Sequence, residues 1–149
     1  MKTRAEIAAE KFLQGYNCAQ SVVYAFCDGL QLDKDRALKM ACGFGAGMGR
    51  KEEVCGAVTG GIFVIGAKYG RGENDDPSAT ELTYAKTREL MDRFSEKRET
   101  FICRSLLGGC ELTTEEGHRQ FAEKDLRNKT CKLCVQDAVN ILEGIVQAP

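Results

Sequence analysis

The residues of this chain best equipped to do chemistry are its eight cysteines: Cys18, Cys27, Cys42, Cys55, Cys103, Cys110, Cys131 and Cys134. A thiolate attacks disulfides and ligates soft metals, and a protonated thiol packs as a small hydrophobe, so three uses compete for every one of them. Cys18, Cys55, Cys103 and Cys131 each fall in or near the first turn of an expected helix. Helix N-termini carry partial positive charge and unsatisfied N–H groups, which favour thiolate over thiol and promote nucleophilicity and metal ligation alike. Lys51, Arg104, Lys129 and Lys132 push the same way, while Glu52 and Glu53 oppose it at Cys55. Cys55 also heads the most unusual stretch, in which Gly56 and Gly60 lie four residues apart on one helical face that another backbone can approach closely.

Other motifs narrow the chemistry by failing. Cys131 and Cys134 form a CxxC pair, but no βαβ pattern surrounds it, no second pair has that spacing, and Val135 stands where a c-type haem signature needs histidine. The glycine-rich segment 43–49 matches neither GxGxxG nor GxxxxGK[ST] and follows no strand, which leaves a tight turn or an anion nest beside Arg50 and Lys51. The single histidine, His118, sits among polar residues and reads as solvated surface. No histidine–carboxylate constellation points to hydrolysis.

The elements that must position these thiols are helical. Apolar spacing of three and four dominates, with only two prolines and no alternating strand pattern, so the expected fold is all-α: a single domain, residues 1–149, of about six to seven helices around the glycine-rich central one. The expected helices run from Thr3 to Gln14, from an Asn17 cap through Phe26, from Lys34 to Cys42 behind Asp33, from Glu52 to Tyr69, and from Pro77 to Arg98. A short helix holds Cys103, a capping box at Thr113 to Glu116 opens another, and Thr130 precedes the last. On the long helix Tyr84, Thr87, Met91 and Phe94 form the expected inner face.

Composition limits the partners. Lys and Arg total 21 against 22 Asp and Glu, a net charge of -1, which argues against a nucleic-acid or anionic-membrane surface. The longest uncharged run, Val54 to Ala67, is too short for a bilayer and reads as a buried helix, so no membrane segment is expected. MKTRAEIAAEKFLQG lacks the apolar core of a signal peptide, so a cytoplasmic protein with reduced thiols is expected, and a static disulfide scaffold is disfavoured.

YNCAQSV around Cys18, GFGAGMGRKEEVCGAVTGG around Cys55, CRSLLG at Cys103 and CKLCVQDA near the C-terminus occur in order over nearly the whole chain. Together they resemble the redox-active C-GCAxxG-C-C motif family of small, mostly prokaryotic, all-helical proteins. The resemblance implies four site cysteines, Cys18, Cys55, Cys103 and Cys131, with Cys134 an alternative to Cys131 and with Cys27, Cys42 and Cys110 as extras. Where the family label writes Gly-Cys-Ala, this chain reads Cys55-Gly56-Ala57.

Three functions follow. The first is thiol/disulfide or electron-transfer chemistry by a thiol-dependent oxidoreductase, with Cys55 the reactive thiol, Cys18, Cys103 or Cys131 resolving it, and a redox partner the sequence does not name. The second is an iron–sulfur cluster or metal ion held by the same four thiolates. The third is a structural homodimer, with packing cysteines and the glycine face as its seam.

Overall fold

A computed structural model describes residues 1–147. Among them the chain is all-α, with eight helices and one isolated antiparallel bridge, Val54 to Ile102. The helices are α1 (Arg4–Leu13), α2 (Cys18–Phe26), α3 (Lys34–Ala41), α4 (Gly56–Tyr69), α5 (Ser78–Arg98), α6 (Cys103–Leu106), α7 (Glu115–Glu123) and α8 (Lys132–Val146). Side-chain caps fix several starts. The Gln20 N–H donates to Asn17 Oδ1 at 3.0 Å while the Asn17 N–H donates to Gln20 Oε1 at 3.1 Å, closing a capping box, and the Arg36 N–H donates to Asp33 Oδ2 at 2.8 Å. The cap of α7 is Thr114, one residue beyond the expected Thr113, because its hydroxyl accepts the Gly117 N–H at 2.9 Å.

Helix α4 is the packing centre, and its glycines explain how. A Cβ at Gly60 would lie 2.7 Å from the Ala19 carbonyl oxygen, so the α4 and α2 backbones cross in direct contact. The glycine face is therefore covered by α2 of the same chain and is not a free dimer seam. On the neighbouring face Gly61 admits Leu90 of α5 and Leu142 of α8, which with Phe26, Ile65 and Phe94 are the largest fully buried side chains. The inner face of α5 is thus Leu90 and Phe94 with Met91 packed against the same core, whereas the expected member Tyr84 is 56% exposed. Helix α4 starts at Gly56, four residues later than the expected Glu52, because Glu52 takes a left-handed φ of 61°. No helix among the described residues is long and apolar enough to cross a membrane.

Asp137 is a buried charge on α8, and α5 neutralises it. Arg98 Nε approaches Asp137 Oδ2 at 2.5 Å, and Lys97 Nζ approaches Oδ1 at 3.2 Å. Asp137→Ala removes two charge-assisted contacts between α5 and α8, and a loss of about 1–3 kcal/mol is expected in urea unfolding. Asp92→Ala, an exposed position on α5, is the control, with a change below about 0.5 kcal/mol.

Candidate functional site

Five thiols reach one cavity by separate routes. The Cys55 N–H donates to the Phe101 carbonyl and the Cys103 N–H to the Glu53 carbonyl, each at 2.7 Å, so the Val54–Ile102 bridge clamps the starts of α4 and α6 side by side. Cys55 is the N-cap of α4, and Cys103 and Cys18 are the first residues of α6 and α2. Gly56 makes room for Cys18, since a Cβ there would collide with the Cys18 sulfur. Cys131 and Cys134, three residues apart on a helix, present their side chains to the same side. All five line a cavity of about 100 Å³, whose remaining wall is mainly apolar and includes Phe12, Leu106, Leu107, Leu112 and Phe121.

Two corrections to the sequence reading arise here. Cys131 does not open a helix: a π-helical segment, Arg127–Cys131, runs straight into α8, so the terminal N–H groups expected beside Cys131 are already spent. Cys131 and Cys134 both line the cavity. The second correction concerns acidity. Burial pushes the Cys18 thiol up to about 11, aided by Cys55 and opposed by the N–H groups of Ala46, Ala19 and Cys18 itself. The helix-terminus effect is present and desolvation outweighs it. Cys103 is pushed up to about 12 by burial first, then by Cys55, Cys18 and Glu52, against a smaller opposing effect of Arg104. Cys131 is raised by burial and by Cys18, Cys55 and Cys103. Cys55 is raised well above the thiol range, first by its side-chain hydrogen bond with Cys134 and next by burial. These four thiols are neutral at pH 7.

The other cysteines follow the packing reading or stand apart. Cys27 is fully buried and donates to the Val23 carbonyl at 3.3 Å, and Cys110 donates to the Gly117 carbonyl at 2.9 Å. Cys42 is exposed. Among the described residues no three His, Cys, Asp or Glu side chains lie in an arrangement that would hold a metal ion. The donors suit a soft metal, but their spacing in this fold does not assemble a ligand set.

The glycine-rich segment shapes one side of the site. Ala46, Gly47, Met48, Gly49 and Arg50 all have φ between 54° and 68°, a left-handed turn that L-residues resist by about 1–2 kcal/mol each. Gly47 is indispensable to it, because a Cβ there would lie 2.6 Å from the Glu53 nitrogen. Carbonyls inside the segment take the N–H groups of Gly49, Lys51, Glu52 and Glu53. The turn puts Ala46 in the cavity wall and drives Glu52 inward, where it is 2% exposed. Its Oε1 accepts the Leu112 N–H at 2.9 Å, and its Oε2 has no hydrogen-bond partner. His118 is exposed, as expected, and its ring nitrogen bonds the Leu112 carbonyl. Arg127 spreads over the Phe12 ring at 3.9 Å and donates to the Phe12 carbonyl. Periodicity gave no signal for these contacts, which depend on the loop between α6 and α7 folding back.

Residues 16–145 match the protein family described as "Putative redox-active protein (C_GCAxxG_C_C)". No curated protein and no solved structure gives a significant match to the chain.

Proposed function

The chain belongs to the C_GCAxxG_C_C family of redox-active proteins, and within that family we propose that it works by thiol–disulfide exchange centred on Cys55 and Cys134. The observation that carries this reading is that Cys55 and Cys134 line one cavity, where Cys134 is the strongest influence raising the Cys55 thiol, and that the same cavity also gathers Cys18, Cys103 and Cys131. Oxidation joins the Cys55 and Cys134 sulfurs and releases two protons and two electrons. An incoming disulfide takes up both and leaves as two thiols. Cys18, Cys103 and Cys131 border the same space and can receive the disulfide in turn. The dry wall keeps the reduced thiols protonated, so exchange waits on a partner that reaches the cavity.

The test is disulfide mapping. The reduced protein is treated with diamide, blocked, digested and analysed by mass spectrometry. Two thiols are expected to disappear in a Cys55–Cys134 linkage, and Cys134→Ser is expected to abolish it. Retention of all eight thiols, or linkage through Cys42 alone, defeats the reading. A second reading, a cluster or metal on Cys18, Cys55, Cys103 and Cys131 or Cys134, draws on the convergence of five sulfurs around one cavity. It requires the thiols to move from their present spacing, and iron, sulfide and visible absorption after anaerobic purification test it.

A further inference from the structure

A second cavity, of about 430 Å³, adjoins the thiol chamber and shares Asn17, Ala46, Leu112, Phe121 and Arg127 with its wall. Its ionisable lining residues are Arg50, His118 and Arg127, and no carboxylate lines it. Two guanidinium groups and an imidazole therefore surround a space that meets an almost wholly apolar thiol chamber. The placement is built into the fold. The left-handed turn delivers Arg50, stacking on Phe12 fixes Arg127, and the Leu112 carbonyl holds His118. Cys131 faces this approach by packing: it is half-buried and packs against the same small apolar cluster as Ala46 and Phe121, both shared walls.

We propose that this basic cavity is the docking subsite for a small disulfide bearing carboxylates, whose sulfurs are thereby delivered to the thiol chamber. This rests on the exchange chemistry proposed above and adds the substrate class. The chamber, at about 100 Å³, admits little more than the sulfur pair, so the body and charges of the substrate must stay in the larger cavity. Cys131 loses its proton and attacks one sulfur, forming a mixed disulfide and expelling the first thiolate, which takes up a proton. A second chamber thiol then attacks the Cys131 sulfur, forming a protein disulfide and expelling the second thiolate, again protonated. Two protein thiols and one disulfide thus become one protein disulfide and two small thiols.

Three probes of different charge test this: glutathione disulfide (anionic), bis(2-hydroxyethyl) disulfide (neutral) and cystamine (cationic), each followed by loss of protein thiols. At low salt the anionic probe is expected to react at least about tenfold faster than the cationic one, with the ratio falling as salt rises. Arg50→Glu is expected to cut the anionic-to-neutral rate ratio about tenfold and Arg50→Gln about threefold, while Arg88→Gln on α5 leaves it at the wild-type value. Equal rates for the three probes, or a ratio unmoved by Arg50→Glu, overturn the docking subsite while exchange itself stands. Failure of every probe to oxidise the chamber thiols overturns the exchange reading and the subsite with it.

Discussion

Gly60→Val is expected to cost more than about 3 kcal/mol, enough to leave a marginally stable domain largely unfolded at 37 °C. The obstacle is backbone against backbone: the Ala19 carbonyl oxygen lies 2.7 Å from where the first side-chain carbon would be, and neither helix has a flexible tip that can yield. Relief requires α2 to move off α4, carrying Cys18 away from Cys55. Gly66→Ala, on the same helix, is the matched control. Nothing lies within 4 Å of its Cβ, and the gain in helix propensity is expected to stabilise the protein by about 0.5–1 kcal/mol. Urea midpoints of the two variants and the wild type check both, and similar losses at the two positions would mean that the close crossing does not govern stability.

The second large effect is on reactivity. Alkylation by iodoacetamide at pH 8 is expected to label the exposed Cys42 first and Cys18 and Cys103 far more slowly, because burial pushes the Cys18 thiol up to about 11 and the Cys103 thiol up to about 12 and so leaves little thiolate at either. Limited access lowers the chamber rates further. The same shifts make the fold alkali-sensitive. The unfolded chain releases these protons near the ordinary thiol value of 9.0, whereas the folded chain retains them to about 11 at Cys18 and about 12 at Cys103. Their contribution to stability is therefore complete below pH 9 and is lost as pH rises through the folded values. Thermal midpoints are expected to fall from pH 9 upward. Peptide mapping of the alkylated protein would contradict this account if Cys18 and Cys103 were labelled as fast as Cys42.

Much of this arrangement was legible in the sequence because its signals are local. Asn17 and Asp33 cap where side-chain chemistry says they should, and Gly56 and Gly60 mark a close crossing because little else justifies two glycines on one helical face. The order of the cysteine motifs also named four of the five cysteines that line the cavity. What local patterns did not carry was the solvent. A helix start predicts an acidic thiol only if water or a cation remains to hold the charge, and Cys18 and Cys103 lose that water to side chains contributed from distant parts of the chain. Thr130 looked like a helix start, yet Arg127–Cys131 is already wound, in π geometry, so Cys131 stands inside the last helix. Cys55 and Cys134 meet at one cavity from helices about half the chain apart, and no spacing rule reaches that far.

The chamber's walls run from Phe12 to Cys134, and the last helix supplies its final thiol. Its closure is therefore a late event in the life of each molecule. During synthesis Cys18 and Cys55 emerge well before α8 exists to cover them, and at that stage they are ordinary solvated thiols, open to any passing oxidant or metal. The finished fold raises their pKa values and shields them. Biosynthesis thus passes through a window in which the nascent chain is more reactive than the mature protein, and docking of α8 ends it.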